Sequence, residues 1–301
     1  MKPRVNAPTI FDRGRAARIP AFFIVGPPRT GTTWLHEVLR RGSQLPFPAK
    51  ETRFFDWHFD RGLDWYLGHF ADRLDRRAIG EVGPTYFAST IARERIAELA
   101  PGAKIVCTFR NPVDRILSLY KVKRAYGMSP WSFEEALVND PELVDSGRYA
   151  THLRAWQSLF GEERVLSTVY DDLARDPQAY LDGITDFIEV PRISLSLSDE
   201  SRLHDSETLT HPRSYLFNRL ACSVAEWFKA ERMDRLLVVL RRKTLLRLLL
   251  GTGPRFESLS AEARDRLYEL FLPEVEELES LLKRDLSAWK PRRAPRLELA
   301  V

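Results

Sequence analysis

Short apolar runs alternate with helical periodicity along this chain. AFFIVG (21–26) has the length and composition of a buried strand, and an amphipathic helix is predicted from about Gly31 to Arg41. AIGEV (78–82) predicts a short strand and STIARERIAELA (89–100) a helix. KIVCTF (104–109) predicts a further strand. It leads into NPVDRILSLYKVKRAYG (111–127), a helix with Asn111 as N-cap and Pro112 in its first turn. RVLSTVY (164–170) predicts another strand, and DPQAYLDGITDFI (176–188) opens another helix.

Apolar strands separated by helices predict an α/β fold, a P-loop-like three-layer α/β/α arrangement around a mainly parallel sheet covered on both faces. Such sheets bind ligands beyond the carboxyl ends of their strands. Gly26, Arg110 and Tyr170 are therefore expected to meet along one edge.

The chain 1–301 is read as a single domain. Residues 189–256 within it form a variable loop and basic helical region, where Arg235, Arg241, Arg242, Lys243 and Arg247 stand among leucines. The segment LSAEARDRLYELFLPEVEELESLL (259–282) predicts a final amphipathic helix. Ser260 begins a capping box there that lacks its acidic partner, because Ala263 occupies that position.

Composition narrows the partners. The 301 residues are 44% hydrophobic and 29% charged, with a formal net charge of +4. That balance suits an anionic ligand and argues against nucleic acid, which calls for a concentrated basic face. Two distant cysteines, Cys107 and Cys222, give neither a disulfide framework nor a metal spacing, and Cys107 sits in an apolar run. No stretch reaches the roughly 18 apolar residues of a membrane span, and residues 1–20 hold no signal-peptide core. A cytoplasmic protein is expected.

Two loops carry the chemistry. After the first strand, PPRTGTTW offers backbone N–H groups, the hydroxyls of Thr30, Thr32 and Thr33, the guanidinium of Arg29 and a helix N-terminus, which together make an anion cradle. A P-loop kinase or NTPase is the alternative reading. It requires a lysine directly after Gly31, where Thr32 stands, and an acidic residue for Mg²⁺ at a neighbouring strand end. KIVCTF ends instead in Arg110, with Ser118 two turns into the next helix. The chain thus offers two anion sites on adjacent strand ends and no metal site, as a nucleotide phosphorylated at both ends of its ribose requires.

PPRTGTTW resembles the 5′-phosphosulfate loop of the sulfotransferases, and FRNPVDRILSLY resembles their 3′-phosphate motif. KETRFFDWHFDRGLDWYLGHF (50–70) and EVGPTYF (81–87) resemble the segments that carry the catalytic glutamate in heparan-sulfate-type members. The resemblance covers about residues 20–190 and returns near 259–289. It implies 3′-phosphoadenosine 5′-phosphosulfate (PAPS) as donor and 3′-phosphoadenosine 5′-phosphate (PAP) as product. Arg29 would steady the bridging oxygen, and Thr30, Gly31, Thr32 and Thr33 would hold the 5′-phosphate. Trp34 would stack on adenine or lie in the core, Arg110 and Ser118 would hold the 3′-phosphate, and Glu51 would be the general base.

His58 is a rival base. A base flanked by Lys50 and Arg53 needs apolar surroundings, which Phe54, Phe55 and Trp57 are expected to supply. Within 54–70 the aromatics are read as part core helix, part acceptor platform. Two positions depart from the relatives' pattern. Val82 replaces a lysine of the glycosaminoglycan-modifying members, and only GTGPRF (251–256) stands for the closing basic loop, with Arg255 as its cation. The resemblance implies transfer to a hydroxyl, or to an amine, of a carbohydrate, glycolipid or small metabolite, in a bacterial enzyme. The basic segment 229–250 is expected to offer a peripheral membrane contact for a lipid-linked acceptor.

Overall fold

The structure, a computed structural model, describes residues 19–70, 78–201, 210–212, 219–220, 224, 252–257 and 259–291. Four strands form one parallel sheet: β1 (Phe22–Gly26), β2 (Gly80–Val82), β3 (Lys104–Phe109) and β4 (Val165–Val169), in the order β2-β1-β3-β4. The register sets Phe22 opposite Gly80 on one side and Lys104 on the other, and Ile105 opposite Val165. The chain runs from β1 outward to β2 and then back past β1 to β3. The direction of winding therefore reverses beside the carboxyl end of β1, which is where open parallel sheets bind ligands.

Every β1 side chain is buried, as a central strand covered on both faces requires. Phe23 and Val25 face one core, shared with Ile105, Cys107 and Phe109 of β3. Phe22 and Ile24 face the other, with Val82 and Val106. That second layer is closed by Leu35, Val38 and Leu39 of α1 (Thr32–Leu39) and, much later in the chain, by Leu181 and Ile184 of a helix at Pro177–Phe187. The first layer receives Ala92 and Ile96 of α2 (Thr90–Leu99) and Val113, Ile116 and Leu119 of α3 (Pro112–Ala125). Leu153, Trp156 and Phe160 of α4 (Tyr149–Phe160) and Leu267, Phe271 and Val275 of α5 (Ala261–Leu282) complete it. This is the expected three-layer α/β/α arrangement.

Several elements follow their predicted causes. The Asn111 side chain caps α3 by accepting from Val113 and Asp114 N–H, with Pro112 at the first helical position. Ser260 caps α5 through Ala263 N–H, so the serine half of the box works without its acidic partner.

Other parts differ from the sequence reading. A short helix, Tyr170–Arg175, starts directly at the end of β4, ahead of Pro177–Phe187. Residues 125–150 hold two short helices, Phe133–Asn139 and Pro141–Asp145, the first closed by a reciprocal capping box of Ser132 and Glu135. Of the aromatics in 54–70, Phe54, Phe55, Tyr66 and Phe70 are core residues, whereas Trp57 is 69% exposed. The basic segment 229–250 lies outside the described residues. Among the described residues, no helix is long and apolar enough to cross a membrane.

Candidate active site

The loop between β1 and α1 bends through a left-handed backbone at Gly26 (φ 86°), Arg29 (φ 75°) and Gly31 (φ 91°). A Cβ at Gly31 would lie 2.9 Å from Leu173 Cδ2 and 3.3 Å from the Tyr170 ring. Glycine is thus required there by both conformation and space. Gly31 caps α1 with no side-chain hydrogen bond, which leaves the N–H groups of the first turn directed at the loop.

Arg29 donates from Nε to Ser118 Oγ of α3 at 2.9 Å. The Ser118 hydroxyl keeps its own proton to donate. Arg110, at the end of β3, stacks its guanidinium 4.8 Å above the Tyr170 ring, and its carbonyl accepts from Tyr149 Oη at 2.9 Å. The expected meeting of these strand ends is therefore real, with Tyr170 also closing over Gly31.

Burial lowers the Arg29 pKa, and the Arg110 charge lowers it further. Among the described residues, no carboxylate pairs with either guanidinium. Two neighbouring cations without a counter-ion, beside free helical N–H groups, form a site for an anion of more than one charge.

Thr30 corrects the sequence reading. Its side chain is fully buried and donates to the Pro27 carbonyl at 2.6 Å. That spends its proton, so Thr108 Oγ1 of β3 must be the donor in the contact between the two hydroxyls. The Thr30 hydroxyl thus ties the loop to the sheet and does not face an anion. Thr32 and Thr33 line the cleft, as expected. Trp34 is 6% exposed, packs in the second core near Tyr180, and donates Nε1 to the Asp199 carbonyl at 2.9 Å. Trp34 is also among the residues that line the cleft. Arg255 stands on a strand, Thr252–Arg255, paired antiparallel with Thr210–Pro212, and its side chain lies outside the described residues.

The same cleft, about 1290 Å³, also contains Lys50, Glu51, Arg53, Asp56 and Thr85. This exceeds the usual ~300–1,000 Å³ of a single-ligand pocket and suits two ligands side by side. Lys50 Nζ bridges Thr33 Oγ1 at 3.0 Å and Glu51 Oε1 at 3.1 Å, linking the anion loop to the carboxylate. The expected apolar shell around Glu51 is not what forms. Phe54 and Phe55 turn inward to the core, Trp57 is exposed, and Arg53 stacks over the Trp57 ring at 5.1 Å. His58, the rival base, is not among the residues lining the cleft, and burial lowers its pKa.

The sequence reading missed the residue that fastens this segment. Glu81 on β2 is fully buried. Its Oε1 accepts from Thr52 N–H (3.1 Å), Thr52 Oγ1 (2.6 Å) and Tyr86 Oη (3.0 Å), and its Oε2 from Tyr66 Oη (2.8 Å). Burial raises its pKa above the usual range, while these donors oppose the shift. Thr52 directly follows Glu51, so a buried carboxylate on the sheet positions the candidate base. Strand alternation places the next residue, Val82, in the opposite core. Val82 is thus apolar and fully buried.

Among the described residues, no group of three or more His, Cys, Asp or Glu side chains is placed to hold a metal ion.

A phosphate-type cradle at the ends of β1 and β3, with a carboxylate in the same cleft, sits on an α/β fold of the P-loop-like class. The Sulfotransferase domain model matches residues 20–208, and the chain belongs to that family. Among its relatives, bifunctional heparan sulfate N-deacetylase/N-sulfotransferase 2 of Bos taurus is 31% identical over 204 residues, covering 58% of this chain and 23% of the relative. Heparan sulfate glucosamine 3-O-sulfotransferase 6 of Mus musculus is 32% identical over 184 residues, covering 58% of this chain and 54% of the relative. The chain therefore spans about a quarter to a half of these relatives. A sulfotransferase crystal structure from Alicyclobacillus acidocaldarius shares the fold, with a TM-score of 0.61 at 24% identity, over 90% of this chain and 98% of that one.

Proposed function

We propose that this enzyme moves a sulfuryl group from PAPS to a hydroxyl of a carbohydrate, glycolipid or small metabolite. The observation that carries the reading is the pair Arg29 and Arg110, two guanidiniums side by side at strand ends with no carboxylate partner among the described residues. A bisphosphorylated nucleotide supplies the charge such a pair lacks.

The residues present fit that donor. First-turn N–H groups of α1, with Thr32 and Thr33, would hold the 5′-phosphate, and Arg110 and Ser118 the 3′-phosphate. The donor itself supplies an activated sulfuryl group. Glu51 takes the proton of the acceptor hydroxyl as its oxygen bonds to sulfur, and the bond from sulfur to the bridging phosphate oxygen breaks in line. Arg29 neutralises the charge that develops on that leaving oxygen. Positioning and charge stabilisation supply most of the rate in such transfers. The relatives' activity on heparan sulfate supports sulfuryl transfer to an oxygen or nitrogen nucleophile.

The test is calorimetric titration with PAP and with Mg·ATP, on the wild type and Arg110→Ala. PAP should bind without added metal. Losing Arg110 should cost roughly 2–5 kcal/mol, as when a buried charge pair loses one partner. Tight binding of Mg·ATP with no response to PAP would replace this reading with a kinase-like one.

A further inference from the structure

The half of the cleft beyond Glu51 has its own chemistry. Asp56 Oδ1 and Thr85 Oγ1 are both buried, and neither makes a hydrogen bond of good geometry within the protein, although the two groups are close enough to interact. Both residues line the cleft that contains Glu51. Buried polar atoms are nearly always satisfied, so two unsatisfied ones in a cleft wall mark where a ligand's polar groups belong. A carboxylate beside a hydroxyl accepts hydrogen bonds and repels anions, which suits the O–H groups of a polyol.

Another part of the wall of the same cleft is apolar. Leu119 and Val122 of α3 line the cleft, and the stripe continues past the helix end to Tyr126 and Met128. Met128 is 53% exposed and Tyr126 48%, a run of accessible apolar surface along one wall.

The charges argue against a polyanion. Lys123 is held by Asp140 at 2.7 Å and Glu142 at 2.6 Å, and Lys50 by Glu51. Glu142 and Asp145 add carboxylates to the wall. A sulfated or uronate polymer is gripped by several unpaired cations, and the described acceptor half does not present such a row.

We propose that the acceptor is an uncharged polyol or glycoside bearing an apolar tail, its hydroxyls read by Asp56 and Thr85 and its tail lying along Leu119, Val122, Tyr126 and Met128. The assignment rests on the sulfotransferase reading above and narrows its acceptor class. In it one hydroxyl lies at Glu51 for transfer, neighbouring hydroxyls donate to the Asp56 carboxylate, and the tail leaves through the cleft mouth.

The experiment follows sulfuryl transfer from radiolabelled PAPS to octyl β-D-glucopyranoside, methyl β-D-glucopyranoside and N-desulfated heparin. PAP binding to each variant is measured in parallel. Octyl glucoside should have the highest kcat/KM. Met128→Glu should lower kcat/KM for octyl glucoside about tenfold and leave methyl glucoside within about threefold, since only the tail meets that residue. Asp56→Asn should lower kcat/KM for both glucosides about tenfold or more with the PAP affinity unchanged. Preference for N-desulfated heparin would overturn the acceptor class and leave the donor reading intact. So would transfer to none of the three probes by an enzyme that still binds PAP. Failure to bind PAP would instead remove the donor reading, and this inference with it.

Discussion

Removing the Glu81 carboxyl should unfasten the candidate base before it touches anything else. In Glu81→Ala four hydrogen bonds are lost, and the Tyr66 and Tyr86 hydroxyls and both Thr52 donors are left in a fully buried site. Each orphaned buried group costs about 1–3 kcal/mol, the terms do not add, and deletions within buried networks cluster near ~3–5 kcal/mol. At roughly 2–4 °C per kcal/mol for a chain of this class, the thermal midpoint should fall by about 6–20 °C. Glu81→Gln keeps the shape and an acceptor oxygen, so its effect should stay within about 1.5 kcal/mol.

The two variants differ in pH dependence. Burial raises the Glu81 pKa above its ordinary 4.5. The unfolded chain therefore releases this proton first. The stability contribution is complete below about 4.5 and is lost as pH rises through the folded pKa. Gln does not titrate, so the midpoint of Glu81→Gln minus that of the wild type should move in the variant's favour from pH 4.5 to 7.5. Scanning calorimetry across that range reads both effects. In Glu81→Ala at a permissive temperature, PAP affinity should stay within about threefold. Sulfuryl transfer should drop roughly 100-fold, the cost of a ~1 Å misplacement of a reacting group. An alanine variant melting within 2 °C of the wild type, or a glutamine difference independent of pH, would refute the reasoning.

Three other outcomes follow from the same geometry. Thr30→Val should cost about 1–2 kcal/mol of stability, because Thr108 and the Pro27 carbonyl lose their partner, yet leave PAP affinity within about threefold by calorimetry. Gly31→Ala forces a left-handed alanine, about 1–2 kcal/mol of strain, and pushes its Cβ against Leu173; PAP affinity should fall at least about tenfold. His36 is buried and neutral, its pKa lowered to about 3 by burial first and then by Lys50 and Arg40. The unfolded chain takes up this proton below about 6.5, so stability falls as pH drops from there toward 3; His36→Leu should therefore lose less thermal midpoint than the wild type between pH 7 and 4.5.

The site was legible in the sequence where one residue type and one position sufficed. Gly26, Arg110 and Tyr170 stand at strand ends that a parallel arrangement of these runs brings to one edge, and the Arg110–Tyr170 stacking realises that placement. Direction within the loop was not legible. Thr30 and Thr33 look alike in PPRTGTTW, and only the pairing of β1 with β3 brings Thr108 under the first of them. Glu81 carried no signal of its own, because a glutamate in a three-residue strand reads as solvated until Phe23 is known to be its register partner. Phe54 and Phe55 were expected to shelter Glu51. Their rings turn instead to Tyr66 and Phe23, because covering β1 takes every large side chain within reach. The helices of 125–150 are five and seven residues long, too short for periodicity to declare them.

Strain in this protein gathers at the cleft. Arg29 (φ 75°) and Arg53 (φ 50°) both hold a left-handed backbone that disfavours side chains, and both line the cleft. Arg29 also sits beside Arg110 with no counter-charge among the described residues. Each feature costs the empty enzyme stability, and each is held in place by ordered structure next to it. Thr30 pins the loop to β3, Ser118 holds the Arg29 guanidinium from α3, and Glu81 anchors the segment that carries Arg53 through Thr52. A surface that merely bound an anion would not need this. A flexible loop with exposed lysines would suffice, relaxing around whatever it met. Two guanidiniums forced together before any ligand arrives keep their charge aimed at one place, and such preorganisation stabilises a transition state more than a ground state. That favours a catalyst over a phosphate-binding module, on grounds independent of the family match.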